Sequence, residues 1–143
     1  MPIVNQWFLE KRVLLSTFSG ELSLADLTRS TEEIRAAIDQ SEGQFLHCIG
    51  DLGGLTKIPT NLKAVTDATQ GAMRHPHFGW MIVYNMPNQV IKFFGDIATR
   101  FFQVRYRVLD TQHEALDFLN QVDSTLPPLR PIAEQRLRDQ QRL

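Results

Sequence analysis

The chain has 143 residues, a formal net charge of −1, and 43% hydrophobic against 22% charged residues. That length suits one domain with a real core, and the composition excludes a disordered chain. The near-zero charge gives no global attraction to nucleic acid or an anionic membrane surface. Cys48 is the single cysteine, so no intrachain disulfide can form and a reducing compartment is expected. No apolar run approaches the ~18 residues of a membrane span. The opening Met1-Pro2-Ile3-Val4-Asn5 lacks the basic and apolar regions of a secretory signal. A cytoplasmic location is the expectation.

Residues 3–10 and 12–19 are rich in β-branched and aromatic side chains (Ile3, Val4, Trp7, Phe8; Val13, Thr17, Phe18), with the polar Glu10-Lys11-Arg12 between them. They predict an antiparallel hairpin. Gly20 breaks the run, and Ser23 with Asp26 three residues on makes a helix start. Leu24, Leu27, Ile34, Ala37 and Ile38 recur at helical spacing up to about Gln40, and Gly43 ends the segment. Phe45 to Gly50 reads as a buried central strand in which His47 is the one clearly polar side chain.

After Asp51, the glycine-containing stretch Leu52 to Pro59 reads as a loop. Thr60 or Asn61 can then cap a helix that runs to about Arg74, where His75-Pro76-His77 stops it. Trp80 to Tyr84 predicts a buried strand, and Asn85 to Asn88 a turn. A helix from about Gln89 to Phe102 carries Val90, Ile91, Phe93, Phe94, Ile97, Ala98, Phe101 and Phe102, a stripe wider than one sheet-facing side needs. Gln103 to Leu109 alternates as a last strand. Asp110-Thr111 caps a helix from Gln112 to Val122.

The composition then shifts, dividing residues 1–124, one domain, from residues 125–143. The latter read as a proline-rich linker (Leu126 to Pro131) and an arginine-rich polar tail. The predicted order is β-β-α-β-α-β-α-β-α plus tail. This is an α/β fold with a mixed sheet of about five strands and about four helices.

The order, together with Asp51-Leu52-Gly53-Gly54-Leu55-Thr56-Lys57-Ile58-Pro59-Thr60-Asn61-Leu62, resembles the STAS family, the domain of sulfate transporters and anti-sigma factor antagonists. The family typically has an apolar strand, an Asp-Leu-Ser-Gly-like step, and Asp-Ser-Ser-Gly at the next helix start. The first half of the segment fits. In the second, Pro59 stands in place of the acid, Thr60 of the phosphorylated serine, Asn61 of the second serine and Leu62 of the closing glycine. The sequence looks more like the SpoIIAA-like branch of uncharacterised bacterial proteins, whose fold is related to CRAL-TRIO lipid-binding domains. The resemblance implies this fold and a regulatory role without catalysis.

The chemistry-bearing residues each have a plain structural reading. Thr60 could hold a phosphate at a helix N-terminus or simply cap it. Asp51 lacks a second titratable group within reach, which favours a turn-capping role over a general base. His75 and His77 lack a third and fourth ligand of defined spacing, so a solvated loop is expected rather than a metal site. Cys48, on an apolar strand, reads as a buried inert thiol. No cofactor-binding motif, nucleophile–base pair or glycine-rich phosphate cradle is visible.

The expected function is a protein-interaction module without catalytic residues. Its binding residues would be Asp51, Gly53, Gly54, Lys57, Thr60 and Asn61, with an interface at Phe93, Phe94, Ile97 and Phe101. The alternative is a carrier of a small or lipid-like molecule, with an apolar cavity between the sheet and the phenylalanine-rich helix. A homodimer through that helix or the tail is a further expectation, and nucleic-acid binding is disfavoured.

Overall fold

The computed structural model describes residues 2–87 and 105–141. Strands β1 (Ile3–Leu9) and β2 (Val13–Glu21) form the expected antiparallel hairpin. Its turn closes with Lys11 in the left-handed region (φ 67°) and the Arg12 N–H donating to the Leu9 carbonyl at 3.0 Å. Helix α1 (Leu24–Gln40) opens on a reciprocal capping box between Ser23 and Asp26, which satisfies two backbone donors at once. Strand β3 (Leu46–Lys57), helix α2 (Leu62–Met73) and strand β4 (Phe78–Tyr84) follow. Strand β5 (Tyr106–Val108) precedes α3 (Gln112–Val122), capped by Thr111, and α4 (Arg130–Gln141).

The five strands lie in the order β1-β2-β3-β4-β5. Strands β2 to β5 are mutually parallel, and β1 runs antiparallel at one edge. The architecture is thus the predicted α/β fold with a mixed sheet. The expected helix from Gln89 to Phe102, with Phe93, Phe94, Ile97 and Phe101, lies outside the described residues.

Helices cover both faces, and the pleat decides which side chains meet them. Leu14, Cys48 and Leu52 project to the α1–α2 side. There they join two apolar groups with Leu27, Ile34, Ile38, Val65, Ala72 and Met73. Their neighbours Val13, Ile49, Ile82 and Tyr84 point the other way, toward Ala115, Leu116, Leu119, Leu129 and Ala133. Burial on both faces explains why β3 reads as a nearly continuous apolar run rather than an alternating one.

Two expectations need correction. The stretch after Asp51 is not a loop, because β3 continues to Lys57. Opposite Thr17–Ser19 the strand carries an extra residue between Asp51 and Gly54, a bulge. A Cβ on Gly54 would sit 3.0 Å from the Phe18 carbonyl oxygen, so a side chain there would force the paired backbone to give way. Glycines that resemble turn residues are here the means of keeping two strands paired through the irregularity.

The second correction concerns the expected linker and tail. Leu126, Leu129 and Ala133 are buried in the same apolar cluster as α3. Asn120 clamps the crossing chain: its amide donates to the Pro127 carbonyl at 2.9 Å and its carbonyl accepts the Leu129 N–H at 3.0 Å. Pro131 fits the first turn of α4, where its missing N–H has no helical partner to lose. The Arg136 guanidinium lies 5.0 Å over the Phe8 ring and donates to the Phe8 carbonyl.

Replacing Leu129, which is fully buried, by alanine should therefore cost about 2–5 kcal/mol, as a buried leucine truncation does. Urea denaturation monitored by circular dichroism reads this. A loss below about 1 kcal/mol, the scale of an exposed-site change, would mean that the C-terminal segment is not part of the core.

Candidate functional site

The expected binding residues lie toward the carboxyl ends of the parallel strands. The Asp51 carboxylate accepts the Gly53 N–H at 3.0 Å and the Asn85 side-chain amide at 3.3 Å, which ties the β3 bulge to the end of β4. Asn85 itself is left-handed (φ 56°), a conformation that asparagine tolerates better than most residues. Gly53, Gly54 and Lys57 are exposed along the outgoing strand, and Thr60 and Asn61 are exposed just before α2. Asn61, not Thr60, is the N-cap: its side-chain oxygen accepts the Ala64 N–H at 3.1 Å. Thr60 is left with its hydroxyl outside the cap, three positions along the chain from the exposed Lys57 and from the exposed Lys63.

This assignment separates two neighbouring substitutions. Asn61→Ala should lower stability by about 1 kcal/mol through the lost cap. Thr60→Ala should stay within about 0.5 kcal/mol, as the substitution of an exposed side chain outside the cap does. Paired urea melts test the order, and equal losses would contradict it.

A second polar constellation sits at the opposite, amino end of the sheet. It arises from another irregularity: between Leu46–Phe78 and Cys48–Met81, strand β4 has one residue more than β3, so Gly79 and Trp80 together face His47. The bulge takes the Trp80 N–H out of the ladder, and a buried donor needs a replacement acceptor. His47 supplies it, for its Nδ1 accepts the Trp80 N–H at 2.9 Å. The ring proton must then reside on Nε2, which donates to Asp123 Oδ2 at 2.8 Å.

Asp123 is saturated. Its Oδ2 also accepts from the Arg12 guanidinium at 3.2 Å, while Oδ1 accepts the Thr125 N–H at 3.0 Å and the Thr125 hydroxyl at 2.5 Å. Arg12 donates in addition to the Thr125 hydroxyl at 2.7 Å. Gly79 is required by the same arrangement, since a Cβ there would lie 2.3 Å from His47 Nδ1. With both ring nitrogens committed, His47 has no lone pair to offer as a general base. The histidine–aspartate pair is a tie between the sheet and the turn after α3.

Burial lowers the His47 pKa below its ordinary 6.5. The Asp123 hydrogen bond and charge oppose that, and repulsion from Arg12 and Arg105 adds to it. Burial alone would raise Asp123, but hydrogen bonds from His47 and Thr125 outweigh it and bring the carboxyl from 3.8 to about 2. The unfolded chain therefore binds both protons before the folded one does. The His47 contribution to stability is complete above pH 6.5 and declines as pH falls below it; that of Asp123 holds above 3.8 and is lost toward about 2. Urea midpoints measured from pH 8 to pH 3 should fall in acid, and His47→Gln should remove the decline that begins near 6.5.

The remaining chemistry-bearing residues fall into place individually. Cys48 is completely buried, and burial pushes its thiol up to about 12, a range in which it is not a nucleophile. His75 Nδ1 accepts the His77 N–H at 3.1 Å, a local turn contact. Among the described residues, no group of three His, Cys, Asp or Glu side chains is placed to hold a metal ion. An apolar cavity of about 80 Å³ lies between the sheet and α1–α2, bordered by Phe18, Leu27, Leu52, Ile58, Pro59 and Val65. That is far below the ~300–1,000 Å³ of typical small-molecule sites, and the expected cavity beside the phenylalanine-rich helix falls outside the described residues. No helix among them is long and apolar enough to cross a membrane.

Sequence reasoning missed Asp123, Arg12 and Thr125. One signal was present: a histidine on an otherwise apolar buried strand requires a hydrogen-bond partner from elsewhere in the chain.

No family model and no curated protein matches the sequence. Solved structures do. The anti-sigma factor antagonist SpoIIAA in its unphosphorylated form superposes with a TM-score of 0.57 at 17% identity, over 82% of this chain and 97% of that one. An uncharacterised protein from the DUF3478 family with a SpoIIAA-like fold, from Shewanella loihica PV-4, gives 0.57 at 17%, over 82% and 91%. The phosphorylated form of the Bacillus cell-fate determinant SpoIIAA gives 0.53 at 15%, over 82% and 98%. The chain therefore has a SpoIIAA-like fold, and the STAS-like resemblance holds at that level.

Proposed function

We propose that this chain is a regulatory module without catalytic activity that binds a protein partner. The surface would be the outgoing end of β3, the segment to Asn61 and the start of α2. The observation that carries this reading is the exposure of Thr60 beside an asparagine-capped helix, in a fold shared with an anti-sigma factor antagonist solved both with and without phosphate. Lys57 and Lys63 on either side would favour added negative charge at Thr60, and a phosphate there would bring about two units of it. The closed hydrogen-bonding of His47 and the buried Cys48 support a module rather than an enzyme.

A photo-crosslinking residue placed at Lys57, followed by affinity capture, tests the surface. A captured partner should cross-link from that position and bind at least tenfold more weakly to Thr60→Asp, while Arg138→Ala on α4 leaves binding unchanged. Equal binding by Thr60→Asp would overturn the switch, and cross-links confined to α4 would overturn the surface.

A further inference from the structure

The amino end of the sheet carries a feature that the His47 tie does not use. Between the turn before β3, the start of β4 and the turn after α3 lies a cleft of about 460 Å³, lined by Arg12, Gln44, Phe45, His47, Trp80, Arg105, Val122 and residues 123–125. That volume falls within the ~300–1,000 Å³ range of small-molecule sites. Its walls combine aromatic surface with hydrogen-bonding groups, and its charges do not cancel. Asp123 has all its acceptor positions taken and its charge is answered by Arg12. His47 is held neutral by burial, by the Trp80 N–H on its Nδ1 and by the nearby Arg12 and Arg105, against the pull of Asp123.

Among the described residues, Arg105 is thus the charge of this cleft left without a counter-charge. Its guanidinium lies 4.7 Å over the ring of Phe45, which is 41% exposed. No carboxylate pairs with it among the described residues. Stacking on an aromatic face orients the planar fork while leaving its N–H edges available, the arrangement that receives a carboxylate in a bidentate manner. A second donor is also unmet: the buried Arg12 Nε–H has no acceptor among the described residues.

We infer that this cleft binds a small aromatic carboxylate, with the carboxylate on the Arg105 fork and the ring against Phe45 and Trp80. Aromatic walls favour a flat apolar body over a bare inorganic anion, which would leave Phe45, Trp80 and Val122 in contact with water. The site stands at the end of the sheet opposite the segment Asp51–Asn61, so neither reading depends on the other.

An NMR titration of the whole chain with sodium benzoate at fixed ionic strength tests the inference, read at the His47 ring protons and the Arg105 Nε–H. Saturable shifts at both are expected. Acetate (apolar body removed) and benzyl alcohol (charge removed) should each bind at least tenfold more weakly. Arg105→Gln, an exposed substitution whose fold is checked by circular dichroism, should weaken benzoate at least tenfold, and Arg105→Lys should fall between. Absence of saturable shifts, equal affinity for acetate or benzyl alcohol, or undiminished binding by Arg105→Gln would overturn it.

Discussion

The structure depends on how one buried imidazole resolves a mismatch in strand length. Strand β4 enters the sheet with one residue too many opposite His47, which frees the Trp80 N–H inside the protein. An unmet buried donor costs about 1–3 kcal/mol, and the imidazole removes that cost from the neighbouring strand. The same ring then has a proton to give, on Nε2, and it meets Asp123 at the end of α3. The backbone N–H of His47 donates to the Arg12 carbonyl at 3.0 Å, and the Arg12 side chain returns to Asp123. One residue thereby links β2, β3, β4 and the segment leading into α4. Gly79 must lack a side chain for this to fit.

A histidine paired with an aspartate at the rim of a cleft invites a catalytic reading, and the hydrogen bonds argue against it. A general base needs a lone pair facing the reacting group, and His47 spends its own on a backbone amide. Burial and the two nearby arginines keep the ring neutral, so the pair acts as a fixed dipolar connector rather than a proton shuttle. Its value is geometric. Among the described residues, α3 and α4 dock on one face, and the carboxyl ends of the strands, where open α/β sheets place their ligands, carry the bulged β3 and the exposed approach to α2.

The two ends of β3 solve the same problem in different ways. At the amino end a side chain satisfies the bulge in β4; at the carboxyl end the bulge in β3 itself is accommodated by glycine, with Asp51 accepting the Gly53 N–H. Both irregularities re-aim backbone and expose polar groups at the sheet's rims, which is where bulges concentrate in proteins that bind something. The middle of the sheet contributes apolar packing. The chemistry lies at its ends.

Much of this was legible in the residues themselves. The hairpin, α1 with its Ser23 start, the apolar β3 and β4 and the Thr111-capped α3 follow from periodicity and capping, because those signals act over a few residues and need no distant partner. The α/β class follows from their alternation. Tertiary structure alone decided what involves residues far apart in sequence. Gly53 and Gly54 look like a turn until Asn85 closes on the first and β2 lies alongside the second. The stretch from Leu126 to Pro131 looks like a linker until Asn120 and the α3 cluster capture Leu129. His47 looks like an isolated polar residue until Asp123, 76 positions away, reaches it. In each case local composition specified what the backbone could do, and long-range packing chose among those options, because burial and hydrogen-bond satisfaction are properties of the assembled core rather than of any short segment.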